Sequence, residues 1–290
     1  MNIFTLENPR LRARIADSGA CLLSLEDADR GGHLLRPWAE NPAWHPGESA
    51  MFPMLPFANR IAGNRFTVGD RRCSLPPQPF GDPFYLHGNG WLTRWQVVKQ
   101  TAHALTLGCA PEELAGYRYA AQIAWTLADN RFETTLTLTH LGEESMPYGA
   151  GLHPFFLLTP EDRVQFSATG MWSEEENHLP GAWREAIPAD RDFSRPRAAP
   201  GVWINNCYSG WSGAAAISNR FRRIEIKSDT PWLMVYQNGK DDFICLEPQT
   251  HPVNAHHLPG RPGLRMLRKG ESLALKMTLR VADPRPEAGD

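Results

Sequence analysis

Four short segments of this sequence place a residue able to do chemistry among apolar neighbours. Each carries a histidine, an arginine or a glutamate where an alternating strand pattern stops, and each contains proline or glycine, which interrupts regular structure. The segments are residues 52–66 (FPMLPFANRIAGNRF), 86–91 (LHGNGW), 151–156 (GLHPFF) and 245–250 (CLEPQT). Ionisable groups in apolar surroundings have displaced pKa values, which are typical of catalytic sites. We therefore search these segments for a site.

Glu247 is the candidate for a catalytic base. It follows an apolar run from Phe243 to Leu246 and precedes Pro248, which we expect to end the strand. A carboxylate at such a strand end lies partly out of water. Burial raises its pKa above the usual value of about 4.3 and makes it a stronger base. The alternative is a carboxylate held in an ion pair by a nearby arginine.

Two histidines and one arginine are the other main candidates. His153 lies between an apolar residue and a proline, and its usual pKa of about 6.5 lets it donate or accept a proton at neutral pH. His87 precedes Gly88, a residue type that lets the backbone approach a ligand closely. The Arg60 guanidinium either stabilises its own loop or binds ligand oxygens through two N–H groups. For the histidines the alternatives are a hydrogen-bonded core imidazole and a turn residue, respectively.

The remaining polar clusters predict less. His251, His256 and His257 follow Glu247 within a short loop, but their spacing matches no ligand motif such as HExxH, so we expect no metal. The acidic run 174–176 is typical of a solvated loop face. The sequence contains no nucleophile elbow, no phosphate-binding loop and no dinucleotide fingerprint.

The elements that must position these residues are strands, because apolar residues recur with a period of two. Alternation is clearest at residues 131–140 and 273–281, and it predicts half-buried strands with one solvated face. Regularly spaced short strands with turn signals between them are typical of a large antiparallel β-sandwich. The other predicted strands are residues 2–6, 11–15, 21–25, 95–99, 105–109, 117–127, 163–168, 223–227, 232–237 and 243–247.

Two long regions, residues 28–64 and 172–210, lack alternation and are rich in proline, glycine, asparagine and tryptophan. Loops of this length inside a compact domain are usually functional or disordered, and the aromatic content argues against disorder. Residues 111–115 are expected to form one turn of helix. We find no repeat and no linker, so we expect residues 1–290 to form one domain.

Composition excludes several classes of protein. The net charge of −2, with acids and bases mixed, lacks the basic field that binds nucleic-acid phosphates. Five cysteines without a CxxC pair argue against a disulfide framework and indicate free thiols in a reducing compartment. The N-terminal residues do not resemble a secretory signal, and no apolar run approaches ~18 residues. We expect a cytoplasmic protein that binds neither nucleic acid nor membrane.

Taken together, the four segments resemble the aldose 1-epimerase (galactose mutarotase-like) family. The resemblance covers most of the chain, from SGACLLSL to RKGESLALKMTLRV, and the four segments occur in family order. It implies an all-β supersandwich and a reaction that interconverts the α and β anomers of a free aldose without a cofactor. By this resemblance Glu247 is similar to the general base and His153 to the general acid. His87 and Arg60 are similar to substrate-binding residues.

One departure from the family pattern concerns residues 204–211, INNCYSGW. The family usually presents an aspartate here that holds sugar hydroxyls. The equivalent position in this sequence is Asn205, with Asn206 as the neighbouring alternative. An amide donates and accepts hydrogen bonds but carries no charge, so the sugar preference is expected to differ.

Mutarotation needs the anomeric hydroxyl deprotonated while the ring oxygen gains a proton. A base and an acid on opposite sides of the ring suffice, here a Glu247 carboxylate and a His153 imidazolium. A sugar-phosphate 1-epimerase is an alternative that needs further basic residues at the site, and Arg65 and the arginines between 184 and 197 are available. A non-catalytic sugar-binding sandwich and a two-carboxylate glycosidase are further alternatives. The expected partner is a small sugar, and the chain is expected to be a monomer or a homodimer.

Overall fold

The strands of this protein follow the two-residue periodicity of its sequence. A computed structural model describes residues 1–283, and burial alternates along the long strands as expected. The strands are β1 Ile3–Glu7, β2 Leu11–Ala16, β3 Cys21–Asp27, β4 Met51–Met54, β5 Arg65–Val68, β6 Arg71–Ser74, β7 Gln96–Gln100, β8 Ala104–Leu114, β9 Tyr117–Ala128, β10 Arg131–His140, β11 Met146–Tyr148, β12 Gly151–Leu157, β13 Arg163–Phe166, β14 Gly170–Glu174, β15 Pro180–Arg184, β16 Trp203–Ser209, β17 Ala214–Ser218, β18 Arg223–Ser228, β19 Trp232–Asn238, β20 Phe243–Gln249, β21 Arg265–Leu267 and β22 Ser272–Ala282.

Two large antiparallel sheets share one apolar core, which confirms the predicted all-β sandwich. One sheet has ten strands in the order β1-β2-β3-β4-β12-β20-β19-β16-β14-β15, and the other has eight in the order β13-β17-β18-β22-β10-β9-β8-β7. Two small two-stranded sheets, the hairpin β5-β6 and the pair β11-β21, complete the strand pairing. Helical structure in the described residues is limited to short 3-10 turns, at Pro46–Glu48, Ala62–Asn64, Gly90–Leu92, Glu176–His178 and Ala255–His257.

The regions without alternation were only partly loops. Residues 28–64 contain β4, and residues 172–210 contain β15 and β16. The expected helical turn at 111–115 is wrong, because β8 continues to Leu114 across a register shift between Cys109 and Glu112. Between these pairs β8 has one residue more than β9, which is a β-bulge. The bulge interrupts the alternation of apolar residues, so the end of β8 could not be recognised from the sequence.

The central strands β4, β12 and β20 are buried on both faces, because one face packs in the core and the other lies beneath the surrounding loops. The expectation that Pro248 ends its strand is wrong, since β20 continues to Gln249. Residue pairs between β12 and β20 are formed on either side of residues 152–154, and their register brings His153 opposite Glu247. Proline has no N–H to donate, and Pro154 and Pro248 both lie at this interruption.

The cysteines agree with the expectation of free thiols, since all five are unpaired and buried. Within residues 1–283 there is also no helix of the length and apolarity needed to cross a bilayer.

Candidate active site

The four segments identified in the sequence meet at one cavity of about 300 Å³. This size is at the lower end of the range for small-molecule sites and suits a ligand as small as a monosaccharide. The ten-stranded sheet forms its floor through β4, β12 and β20, and the walls are formed by β16, β19 and loops. Each segment contributes side chains to the lining, namely Phe52, Asn59, Arg60, Leu86, His87, Trp91, His153, Phe155 and Glu247.

Glu247 and His153 are in direct contact on the cavity floor. The Glu247 Oε1 atom lies 3.2 Å from His153 Nε2, and both side chains are almost completely buried. Gln249 donates a hydrogen bond of 3.3 Å to the other carboxylate oxygen. The two groups therefore lie side by side, because antiparallel neighbours in register project to the same face of the sheet.

Burial shifts the two groups in opposite directions. It raises the pKa of the Glu247 carboxyl well above its usual range, as the sequence predicted, although the Gln249 hydrogen bond and the Arg60 charge act against it. Burial likewise lowers the pKa of His153, to about 3, and the charges of Arg36 and Arg60 add to this effect. Each environment therefore favours the uncharged form of its group, so the imidazolium expected to act as the acid is not the favoured resting form of His153.

His153 packs against a cluster of aromatic rings. Its imidazole stacks on Phe52 at 4.5 Å between centroids and on Phe155 at 4.6 Å. Phe52 and Phe155 are themselves 6.2 Å apart, so they do not sandwich the imidazole. Trp91 stacks on Phe52 at 4.8 Å, and the Arg36 guanidinium lies 3.7 Å over the Phe155 ring. The two ring contacts restrict the tilt of the imidazole, whose Nε2 atom faces Glu247.

His87 is restricted to one tautomer by its neighbour Asn59. The Asn59 backbone N–H donates to His87 Nδ1 at 3.0 Å, and the His87 backbone N–H donates in return to the Asn59 carbonyl at 2.9 Å. Burial lowers the pKa of His87 well below its usual value, and the nearby His153 and Arg60 add to the effect. A neutral imidazole that accepts at Nδ1 must carry its proton on Nε2, so His87 is a hydrogen-bond donor at the cavity.

Arg60 lines the cavity but is largely committed elsewhere. Its Nη2 and Nε atoms form a two-point pair with the Asp82 carboxylate, at 2.6 Å and 3.1 Å. Burial alone would raise the pKa of Asp82, but the Arg60 hydrogen bonds and charge outweigh it and lower that pKa. The Nη1 atom contacts Asn59 Oδ1 at 3.2 Å. Arg60 therefore holds its loop to Asp82, and only the Nη1 side of its guanidinium is left to donate to a ligand.

Asn205, and not Asn206, lines the cavity. Asn206 is buried on the opposite face of β16 and donates to the Trp172 carbonyl at 3.0 Å. The Asn205 Nδ2 atom donates to Glu174 Oε1 at 2.6 Å. Glu174 was expected to lie on a solvated loop face, which is wrong, because it ends β14 and is only 21% exposed. Glu175 and Glu176 are exposed as expected.

Several lining residues were not found from the sequence. They are Arg36, His45, His178, Trp203, Tyr236, Asn238 and Asp241. Arg36 and His45 lie in the region 28–64 and His178 and Trp203 in the region 172–210, where no strand pattern marks a position as facing the site. The arginines named for a phosphate group, Arg65 and those between 184 and 197, are absent from the lining.

Comparison with known proteins decides the family. The sequence model of the aldose 1-epimerase family matches residues 2–280. This chain belongs to the aldose 1-epimerase family. It is similar to the uncharacterised protein YphB of Escherichia coli K12, with 36% identity across 89% of this chain and 96% of YphB.

Solved structures of aldose 1-epimerase-like proteins agree with this assignment. A candidate aldose 1-epimerase from Escherichia coli K12 superposes with a TM-score of 0.90 at 33% identity, over 97% of this chain and 99% of the other. A galactose mutarotase-like protein from Clostridium acetobutylicum superposes with a TM-score of 0.84 at 19% identity, over 96% and 94% of the two chains. The second similarity concerns the fold alone.

Within this aldose 1-epimerase fold the side chains suit a metal poorly. Among the described residues one group has ligand geometry, His153, Cys245 and Glu247, whose ligand atoms lie within 4.8 Å of one another. A metal would need the thiolate, but burial raises the pKa of Cys245 well above its usual value, and the Glu247 charge adds to this. His251, considered above as a ligand, accepts from the Ala58 N–H at one nitrogen and contacts the Pro252 carbonyl at the other.

Proposed function

We propose that this protein interconverts the α and β anomers of a free aldose by acid/base-catalysed opening and closure of the pyranose ring. The observation that carries the proposal is the contact of 3.2 Å between Glu247 Oε1 and His153 Nε2 on the floor of a monosaccharide-sized cavity. The reaction moves protons at the anomeric hydroxyl and at the ring oxygen. Both oxygens are bonded to C1, so an adjacent acid and base can serve them together.

This geometry replaces the arrangement expected from the sequence, in which the two groups stood on opposite sides of the ring. The Glu247 carboxylate takes the proton of the anomeric hydroxyl, and His153 gives a proton to the ring oxygen as the C1–O5 bond breaks. The product is an open-chain aldehyde, which can rotate about C1–C2 before closure. The same two proton transfers then run backwards and give the other anomer.

The pair needs one shared proton for this cycle. Because burial disfavours charge on either residue, the proton rests on Glu247 and both groups are neutral. The proton must first move across the contact to His153, which gives the ionic pair that opens the ring, and ring opening returns a proton to Glu247. The environment therefore favours the pair as it stands after ring opening over the ionic pair that precedes it.

The remaining lining residues orient the sugar. His87 donates from Nε2, Arg60 from its free edge, and Asn205 contributes an amide. These groups hold the ring with its anomeric carbon over the acid/base pair, which is where positioning contributes to rate. The presence of both a base and an acid favours an enzyme over a sugar-binding sandwich without activity.

The test is the variant Glu247→Gln, assayed by polarimetry or by NMR exchange of the anomeric protons across a panel of aldoses. An amide of the same shape cannot accept the hydroxyl proton, so we expect the rate above the buffer-only rate to fall by about 10²–10⁴-fold. Glu176→Gln, at an exposed position, is the matched control and should keep wild-type activity. Near-normal turnover by Glu247→Gln with an unchanged urea unfolding midpoint would remove Glu247 from the role of base.

An anionic sugar as substrate is a second candidate, favoured by Arg36. No described carboxylate pairs with its guanidinium, which lines the cavity and donates from Nη2 to the Gly47 and Ser49 carbonyls at 2.6 Å and 2.9 Å. Burial lowers the pKa of Arg36, which is the cost of an unpaired buried cation. A phosphate on the sugar would offset that cost. Comparing kcat/KM for glucose and glucose 6-phosphate, and their response to Arg36→Gln, distinguishes the two.

A further inference from the structure

The Glu174 carboxylate lies directly behind the cavity wall and accepts hydrogen bonds from two wall residues. Asn205 Nδ2 donates to Oε1 at 2.6 Å, and Trp203 Nε1 donates to Oε2 at 2.7 Å. His178, a third wall residue, contacts Oε1 through Nδ1 at 2.6 Å. One partly buried carboxylate therefore organises three side chains that face the ligand.

The Glu174 contact determines which end of the Asn205 amide is available to a ligand. A carboxylate oxygen only accepts hydrogen bonds, so the amide nitrogen must be the end that faces Glu174. The carbonyl oxygen Oδ1 is then at the opposite end of the planar amide, and no described protein donor bonds to it. We propose that Glu174 is a positioning residue that presents Asn205 Oδ1 to the substrate, where it accepts a hydrogen bond from a sugar hydroxyl.

This inference rests on the proposed function for the identity of the ligand, and it explains why the expected aspartate is replaced by asparagine. An aspartate at 205 would place a second carboxylate oxygen about where the amide nitrogen now lies, 2.6 Å from Glu174. Two carboxylates that close cannot both ionise, so one would bind a proton or turn away. In this protein the negative charge lies one layer behind the wall, and a neutral acceptor contacts the sugar.

Backbone conformation supports a functional role for this part of the wall. Asn177 and His178 both have positive φ angles, 58° and 62°, although neither is glycine. Such conformations are unfavourable for residues other than glycine and persist where neighbouring contacts compensate. The contact of His178 with Glu174 and its packing on Trp203, at 5.3 Å between centroids, are the compensating interactions. Glu174 thus also holds this loop turn against the cavity.

Three variants test the proposal: Asn205→Asp, Glu174→Gln and the double exchange. Asn205→Asp alone should raise KM at pH 7.5 by about tenfold or more, because a carboxylate that turns away from Glu174 no longer presents its oxygen to the sugar hydroxyl, while kcat changes much less. Glu174→Gln alone should raise KM several-fold, because a glutamine accepts or donates and leaves the Asn205 amide free to flip. The double variant should recover a KM within about threefold of wild type, because the amide introduced at position 174 can donate to the carboxylate introduced at position 205. Glu176→Gln is the neutral control.

Two further readouts separate positioning from a merely structural role. In Asn205→Asp the KM should fall again as the pH is lowered, because a proton shared by the two carboxylates restores one hydrogen bond. The urea unfolding midpoint of Asn205→Asp should lie below that of wild type at pH 7.5 and approach it as the pH is lowered, with each comparison made at one pH. Adding Glu174→Gln should restore the midpoint at pH 7.5. This stability arm does not depend on turnover.

An Asn205→Asp variant with wild-type KM, or a double variant no better than the worse single variant, would overturn the proposal. If wild type accelerates anomer exchange for no aldose, the proposed function fails, whereas the stability arm still decides whether Glu174 and residue 205 are coupled as described.

Discussion

At the scale of single residues, the partners of the two cavity imidazoles distinguish their roles. His87 accepts the Asn59 N–H at Nδ1 and can only donate from Nε2, so it stabilises negative charge on a ligand oxygen without transferring a proton. His153 has no hydrogen-bond partner at Nδ1 among the described residues, and its Nε2 atom faces Glu247. In the proposed mechanism, proton transfer therefore belongs to His153 and charge stabilisation to His87.

The pH dependence of the rate follows from the same shifts. In the proposed mechanism, Glu247 and His153 together hold one proton. The pair loses this proton as the pH rises through the raised pKa of Glu247. It gains a second proton as the pH falls through the lowered pKa of His153, about 3. We expect kcat/KM to stay flat from pH 7 down to pH 5.5, with no inflection near 6.5. Polarimetry in dilute buffers, with the buffer-only rate subtracted at each pH, checks this.

A loss of activity centred near pH 6.5, in protein that remains folded, would mean that His153 titrates as an ordinary exposed histidine. In that case the burial argument for a neutral pair would be wrong.

At the scale of elements, the site depends on close backbone approaches between loops and the sheet. Gly88 follows His87 with φ of +66°, and a Cβ atom there would lie 1.9 Å from the Leu55 carbonyl oxygen. This approach joins the 86–91 loop to the end of β4 through a bridge between Leu55 and Gly88. It therefore sets the distance of His87 from Glu247 and His153.

We expect Gly88→Ala to lower kcat/KM by about 10²-fold, because the loop must move by an ångström or more and carries His87 with it. The unfolding free energy should also fall by ~1 kcal/mol or more from backbone strain and the clash. Gly69→Ala is the matched control, since Gly69 has φ of +57° but open space at its Cβ position. In the control the unfolding free energy should fall because of backbone strain alone, and the activity should be unchanged. Equal activity of the two variants would disprove the positioning role of this approach.

At the scale of the whole molecule, four buried histidines link stability to pH. Burial lowers the pKa of His87, His153, His251 and His256, the third to about 4. The unfolded chain binds protons at these residues below about pH 6.5, whereas the folded chain does not. Each therefore contributes stability that is present above pH 6.5 and is lost as the pH falls toward its folded pKa.

Glu247 acts in the opposite direction over the same range, because its pKa is raised in the folded state and the folded chain holds the extra proton. We expect the unfolding free energy to fall steeply between pH 6.5 and 5, with each histidine contributing up to about 1.4 kcal/mol per pH unit and Glu247 offsetting one of them. Urea unfolding at half-unit pH intervals measures the slope. His251→Gln should reduce it, and a pH-independent midpoint would contradict the assignment of neutral buried histidines.

The fold class, most of the long strands and the segments that form the cavity could be predicted from the amino-acid sequence. Alternation identifies β9, β10 and β22 because each has one core face and one solvated face. It failed at β12, where both faces are buried, and it ended β20 too early, at Glu247. An apolar neighbourhood around Glu247, His153 and His87 is likewise a local property, and it was visible without a structure.

The way in which those residues face one another could not be predicted without the three-dimensional fold. The register of β12 and β20 makes Glu247 and His153 neighbours instead of partners across a ring. The same holds for Glu174, which looked like part of a solvated acidic run until β14 and β16 brought it to Asn205. Contacts between strands distant in sequence, and the pKa shifts that burial produces, depend on pairing and packing across the whole sheet. Periodicity along one strand carries no information about either.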